Sequence, residues 1–276
     1  MKKYLSPLIK NSYKTIFKSY ISSKKIYADI DFISLKILKK CSLGEKNESI
    51  LAPIDSIILP SILKNGKWEN HIINIIKKCS KIKNEYILLD IGANIGLTSR
   101  QILNTNIKIR KVFCFEPDSE KIHLINYNLS KYKNIKIMNY GLGKKNVKTR
   151  LYKNIYNFGD TSFLKKTPNF SKAEIKNINN FFSNNLSSNQ FPIIYKSDAQ
   201  GMDEEIIFSL KDKFLDKIQI AIIEITNSQI FLKNMQKFNK LIEHFNKFYC
   251  NEKIISKENL IKKIKKKDEF DLVMVK

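Results

Sequence analysis

Apolar runs of strand type and helix type alternate along this chain from about residue 69 onward. Ile72, Ile73, Ile76 and Cys79 recur on one face of a lead-in helix over 69–79, the spacing of an amphipathic helix. Residues 86–91 form a short apolar run ending in Asp90, Ile91 and Gly92, as expected of a parallel strand buried on both faces. Helices follow over 95–103 and 118–132, with strands over 111–116 and 135–142. Val147 to Lys153 reads as a small hairpin arm, with Gly141, Gly143 and Asn146 marking turns. Further on come strands over 193–198, 217–225 and 270–275, and helices over 203–211 and 230–248. Alternation on this scale predicts an α/β domain with a doubly wound, mostly parallel sheet and helices on both faces.

Two stretches depart from that rhythm. Residues 1–48 are Lys-rich, with Tyr4, Leu5, Leu8, Ile9, Tyr13, Ile16 and Phe17 at roughly helical spacing, so they read as a basic N-terminal helical extension to a domain over 49–276. Residues 154–191 are rich in Asn, Ser and Phe. An insertion of that length in an α/β domain is more often a substrate loop or lid than plain connection.

Composition changes this picture little. The 276 residues carry a formal charge of +24, which invites a nucleic-acid partner because clustered cations replace phosphate counterions. Only Arg100, Arg110 and Arg150 are arginines, and the abundant Lys, Asn and Ile share A/T-rich codons. Genome composition is therefore the expected source of much of the bias. Nucleic acid is disfavoured as a partner, while an anionic polymer or membrane surface meeting the Lys-rich face stays open. The N-terminal stretch lacks the apolar core of a signal peptide, and no run reaches the ~20 apolar residues of a membrane span. A cytoplasmic protein is expected, with peripheral attachment to the inner membrane surface as an option. Cys41, Cys79, Cys114 and Cys250 are scattered, so no metal site or redox pair is expected.

The sharpest chemical signal is Asp90-Ile91-Gly92-Ala93-Asn94-Ile95-Gly96, at the end of the first strand. In a doubly wound sheet, ligands sit outside the carboxyl ends of the strands, where strand order reverses. Asn94 stands where a dinucleotide-binding loop has the second glycine that a pyrophosphate needs. A nucleoside cofactor without phosphates has no such need. Glu116 closes the second strand ahead of Pro117, where a carboxylate can take both hydroxyls of a ribose.

LLDIGANIGLTS, FCFEPDSEK and YKSDAQGMDEEII, with NGKWENHI before them and AIIEI after, resemble the successive signatures of FkbM-type methyltransferases. The resemblance covers roughly residues 50–276. It implies a seven-stranded Rossmann-like sheet with the last strand antiparallel, and S-adenosyl-L-methionine as methyl donor. Carried over by position, Asp90, Gly92, Ala93, Asn94 and Gly96 border the methionine and ribose portions. Glu116 and Pro117 lie at the ribose, Tyr140 and Gly141 near the adenine, and Asp198 at the sulfonium methyl and the acceptor. Family members usually carry Glu where this chain has Gln200 and Asp203, and Gln cannot act as a base.

Direct displacement at the methyl carbon needs alignment and an activated nucleophile. Asp198 is the first candidate base, with Glu69 and His71 from the lead-in helix as further candidates. Trp68, Gly159, Ser162 and Gln200 are the expected acceptor contacts. The expected activity is O-methylation of a sugar hydroxyl, on a surface polysaccharide or a glycosylated metabolite; that substrate class comes from the resemblance. The alternatives are a nucleic-acid methyltransferase and a non-catalytic adenosine-binding protein. Where base-methylating enzymes carry an Asn/Asp-Pro-Pro-aromatic motif, this chain reads Ser197-Asp198-Ala199-Gln200.

Overall fold

Alternate residues of the strand Glu85–Ile91 bury on opposite sides of one sheet. Ile87, Leu89 and Ile91 join one apolar core and Tyr86 and Leu88 another, the two-residue period of a strand covered on both faces. The computed structural model describes residues 32–33, 36–43, 48–53, 55, 57–81, 84–154, 157–226, 228–266 and 269–276. They fall in two compact units, one comprising Met1–Trp68 with Tyr156–Gly159, the other Glu69–Ile155 with Asp160–Lys276.

The first unit holds strands β1 (Phe32–Ile33), β2 (Lys36–Leu43) and β3 (Glu48–Pro53) in one antiparallel sheet. A helix, Ile58–Asn65, follows and buries Ile58, Leu59 and Ile62. Buried Asp55 accepts from the amides of Leu59 at 3.0 Å and Phe158 at 3.3 Å, which ties Phe158 into this unit. Two expectations change here. The described part of 1–48 is strand and not helix, because β2 pairs with β3 from Leu38↔Pro53 to Leu43↔Glu48. That pairing also carries the first unit past residue 48 to Pro53, and the unit extends to Trp68. The amphipathic pattern over 4–17 lies outside the described residues.

In the second unit, helix Asn70–Cys79 leads into β4 (Glu85–Ile91), β5 (Lys108–Phe115), β6 (Ile135–Met138), β7 (Gly141–Gly143), β8 (Val147–Lys153), β9 (Thr161–Ser162) and β10 (Phe170–Asn177). Then come β11 (Ile193–Ser197), β12 (Ile218–Ile225), β13 (Lys247–Cys250), β14 (Lys253–Ile255) and β15 (Phe270–Val275). The main sheet has the order β14-β13-β15-β12-β11-β4-β5-β6. Its β15 runs antiparallel to both β12 and β13. Seven of these strands make the expected sheet, and the eighth is the short edge strand β14, paired with β13. The region expected as one helix over 230–248 is two, Ser228–Lys233 and Met235–Glu243, followed by β13. Buried Phe248, Tyr249 and Cys250 pair with β15 there.

From β4 the chain steps outward to β5 and β6, then returns to lay β11 and β12 on the other side of β4. Strand order therefore reverses between β4 and β11. Ile91 is level with Phe115 on one flank and Ser197 on the other. The next residues, Gly92, Glu116 and Asp198, emerge together at the carboxyl edge, where open α/β sheets bind ligands.

The stretch expected as an irregular lid over 154–191 is largely regular. β10 is an inner strand of a second sheet, β7-β10-β8-β9, and helix Ile178–Leu186 buries Phe181 and Phe182. Phe181 packs edge-on against Phe113 and Phe115 at 5.1 and 4.8 Å, so it belongs to the main core and not to a loop. Among the described residues no helix is long and apolar enough to cross a membrane.

Candidate functional site

The bend after β4 is built by backbone contacts to both neighbouring strands. The amides of Gly92 and Ala93 donate to Phe115 O at 3.0 Å, and Asp198 N donates to Ile91 O at 3.0 Å. Gly92 has φ 74°, and a Cβ there would sit 1.9 Å from Asp198 O. Only glycine fits that approach. The turn after β11 thus by itself demands glycine at this position. Gly96, at φ 81°, starts helix Leu97–Leu103 and faces Leu129. Asn94 takes φ 54°, a left-handed conformation that Asn tolerates better than most residues.

Glu116 is 3% exposed and locks two turns together. Its Oε2 accepts from Asn94 N and its Oε1 from Asp118 N, both at 2.8 Å. Burial raises its pKa, opposed chiefly by the charge of Lys121. Each carboxylate oxygen keeps a second lone pair for a further donor. Beside it, Asn94 Oδ1 is buried with no hydrogen-bond partner, a polar atom that costs free energy until a donor reaches it. Tyr140, half-buried, stacks obliquely on Phe115 at 5.8 Å and carries Lys176 Nζ 4.2 Å above its ring. Gly141 lies in β7 against Phe163, and Pro117 follows Glu116 at the edge. These positions line one edge of the bend with a carboxylate, a buried acceptor and an aromatic ring, a set suited to a diol and a flat base.

The other edge gathers around Lys196, buried in β11. Its Nζ lies 3.5 Å from Asp90 Oδ1 and 3.6 Å from Asp198 Oδ2. Asp90 also accepts from Ser99 Oγ at 2.6 Å and is fully buried, and its Oδ1 has no hydrogen-bond partner. Asp198 is 28% exposed at its side chain, and its Oδ1 accepts from Gln200 Nε2 at 2.9 Å. Gln200, at φ 50°, also reaches Glu224 Oε2 at 3.5 Å. Glu69, at φ 46°, accepts from Thr98 Oγ1 at 2.8 Å. Burial pushes its pKa up to about 7 against the pull of Lys196. Burial, with Asp198, Asp203 and Asp271 nearby, pushes Glu224 up to about 9. His71 Nε2 sits 2.7 Å from Asp271 Oδ2, and that bond raises its pKa. Three non-glycine residues at positive φ, Glu69, Asn94 and Gln200, thus fall in this one region. Such strain costs about 1–3 kcal/mol per residue and tends to mark functional sites.

The structure brings Glu69, His71, Asp90, Gly92, Asn94, Glu116, Asp198 and Gln200 into one region. Ser162 is buried and donates to Gln200 O at 3.0 Å, so it supports that turn and offers no free contact to an acceptor. Trp68 and Gly159 fall in the first unit. Asp203 is buried and bonds Ser197 Oγ and Ala199 N, closing the turn after β11. Sequence reasoning passed over Lys196, Glu224 and Asp271. Each is a lone charge inside an apolar strand, and that isolation was the available signal. Among the described residues no group of three His, Cys, Asp or Glu side chains is arranged to hold a metal ion.

No family model matches the chain, and no curated protein matches it. Solved structures do. The methyltransferase FkbM of Methylobacillus flagellatus KT is 12% identical with a TM-score of 0.47, over 78% of this chain and 53% of that one. This chain therefore spans about half the length of that relative. An rRNA methylase of Streptococcus thermophilus is 12% identical with a TM-score of 0.39, over 75% and 93% of the two chains. A candidate methyltransferase of Streptococcus mutans, solved in complex with SAH, is 10% identical with a TM-score of 0.40, over 75% and 94%.

Proposed function

We propose that this chain is an S-adenosyl-L-methionine-dependent methyltransferase acting on a hydroxyl group of a sugar. One observation carries the cofactor assignment. Glu116 is held at the carboxyl end of β5 against a phosphate-free bend, beside the unpartnered oxygen of Asn94. A ribose diol satisfies the remaining lone pairs of Glu116, and a donor on the cofactor satisfies Asn94 Oδ1. Tyr140 and Gly141 border the adenine. When bound, adenosylmethionine supplies a methyl group on a sulfonium, a leaving group that needs no acid.

Asp198 is the proton acceptor for the incoming hydroxyl. Lys196 at 3.6 Å supplies its counter-charge, and the Gln200 amide fixes its orientation. His71 is engaged by Asp271, and burial pushes the Glu69 carboxyl well above the usual carboxylate range. Both flank the base and polarise the site. The sugar acceptor rests on the sequence resemblance, and a cytoplasmic location is part of the same proposal.

Calorimetry with adenosylmethionine, adenosylhomocysteine and NAD tests the cofactor: the first two bind and NAD does not. Tight NAD binding without a response to adenosylmethionine sinks the proposal. A tritiated-methyl screen against envelope sugars, lipids and RNA of the source cell then tests the acceptor. Label appearing in RNA and not in sugars would replace the proposed substrate.

A further inference from the structure

β8 and β10 form an antiparallel ribbon whose two faces differ sharply. Leu151, Ala173 and Ile175 are buried on the inner face. The outer face carries three directly opposed pairs, Tyr152↔Phe170, Arg150↔Lys172 and Lys148↔Glu174. They line an open groove of about 890 Å³. The pairs are graded along the ribbon: one aromatic, one doubly cationic, and one a salt bridge of 3.4 Å.

The middle pair is the anomaly. Like charges directly opposite each other destabilise a sheet, and among the described residues neither Arg150 nor Lys172 has a carboxylate within ion-pair distance. Arg150 is held at this spot, its guanidinium carbon 4.5 Å from the centroid of Phe170. A guanidinium held over an aromatic ring still has N–H donors for a carboxylate or phosphate. An oxyanion between the two cations would remove their repulsion. Phe170, 45% exposed, offers an apolar rim beside it.

We infer that this groove binds a saccharide bearing an oxyanion, with the acid group between Arg150 and Lys172 and the sugar ring against Tyr152 and Phe170. The pattern suits an isolated anion better than a polyphosphate chain. One step along, Glu174 neutralises Lys148 and would repel the next phosphate of a nucleic acid, whose charges recur at every nucleotide. This inference stands apart from methyl transfer, because binding is read with no donor present.

Titration of the full chain with trigalacturonate and with glucose 6-phosphate separates carboxylate from phosphate as the source of the oxyanion. Maltotriose is the neutral comparator and a uridine trinucleotide the nucleic-acid comparator. At least one acidic sugar is expected to bind, about tenfold or more tighter than maltotriose and more tightly than the trinucleotide. The double variant Arg150→Glu/Lys172→Glu should lose that binding about tenfold or more. Phe170→Ser should weaken it with the charges intact. Lys262→Glu/Lys265→Glu, an equal charge change on another helix, should leave it within about twofold. The inference is overturned if neither acidic sugar binds, if both double variants lose affinity alike, or if the trinucleotide binds more tightly. The altered side chains face solvent, so melting curves should match the parent.

Discussion

Gly92 and Asp198 touch through backbone alone: the carbonyl oxygen of Asp198 occupies the space 1.9 Å from where a Gly92 Cβ would stand. The contact fixes the distance between the bend after β4 and the turn after β11. Gly92→Ala must push these segments apart and also strain a residue at φ 74°. A loss of about 2–4 kcal/mol is expected, read as a lower urea midpoint, together with weakened adenosylhomocysteine binding. Unchanged stability would show that the two segments yield freely.

Glu116 supplies the acceptors for two buried amides as well as the proposed ribose contact. Glu116→Ala should therefore cost about 2–6 kcal/mol of stability, at about 1–3 kcal/mol per orphaned donor, besides abolishing measurable cofactor binding. Glu116→Gln keeps one acceptor oxygen and should fold better while binding adenosylhomocysteine at least tenfold more weakly. If the Gln variant binds normally by calorimetry, Glu116 does not hold the ribose.

Lys196 is the counter-ion of Asp90 and Asp198. Lys196→Met should destabilise by about 3–5 kcal/mol, since it leaves carboxylates buried without a cation. Asp90→Asn added to Lys196→Met should recover part of that loss in a double-mutant cycle. Strict additivity would mean that the two groups are not coupled.

Glu204 is fully buried, neither oxygen has a hydrogen-bond partner, and burial pushes its pKa from the usual 4.5 up to about 7. Glu224 is raised to about 9, first by burial and then by the carboxylates of Asp198, Asp203 and Asp271. A carboxyl group whose folded pKa is raised binds more protons folded than unfolded. Its contribution is fully present below pH 4.5 and is lost as pH rises through the folded value. Urea stability should therefore fall between pH 5 and pH 9. Glu204→Gln should flatten the part between about pH 5 and pH 7 and gain about 1–3 kcal/mol at pH 8. A pH profile identical to the parent's would refute the burial of this group as a charge.

The doubly wound sheet and the bend were legible because period and turn chemistry agree there: an apolar run, two glycines, then a helix. Glu116 was legible because Pro117 stops its strand. β10 was obscured by its Asn- and Ser-rich surroundings, although Ala173 and Ile175 alternate with Lys172 and Glu174 as a half-buried strand should. β13 was hidden differently. Phe248, Tyr249 and Cys250 come a few residues after the helix Met235–Glu243, and a short apolar run carries no period to separate the two. The cluster around Lys196 draws on β4, β11, β12, β15 and the helix after Trp68, so only the assembled sheet reveals it.

β4 acquires its partner β11 only about a hundred residues after it is made, a long-range pairing of the slow kind. During synthesis, then, the glycine bend waits with one flank bare while the ribbon and its helix emerge. The hollow beside Glu116 is finished late, and a chain that ends before β11 leaves the apolar edge of β4 open to other chains.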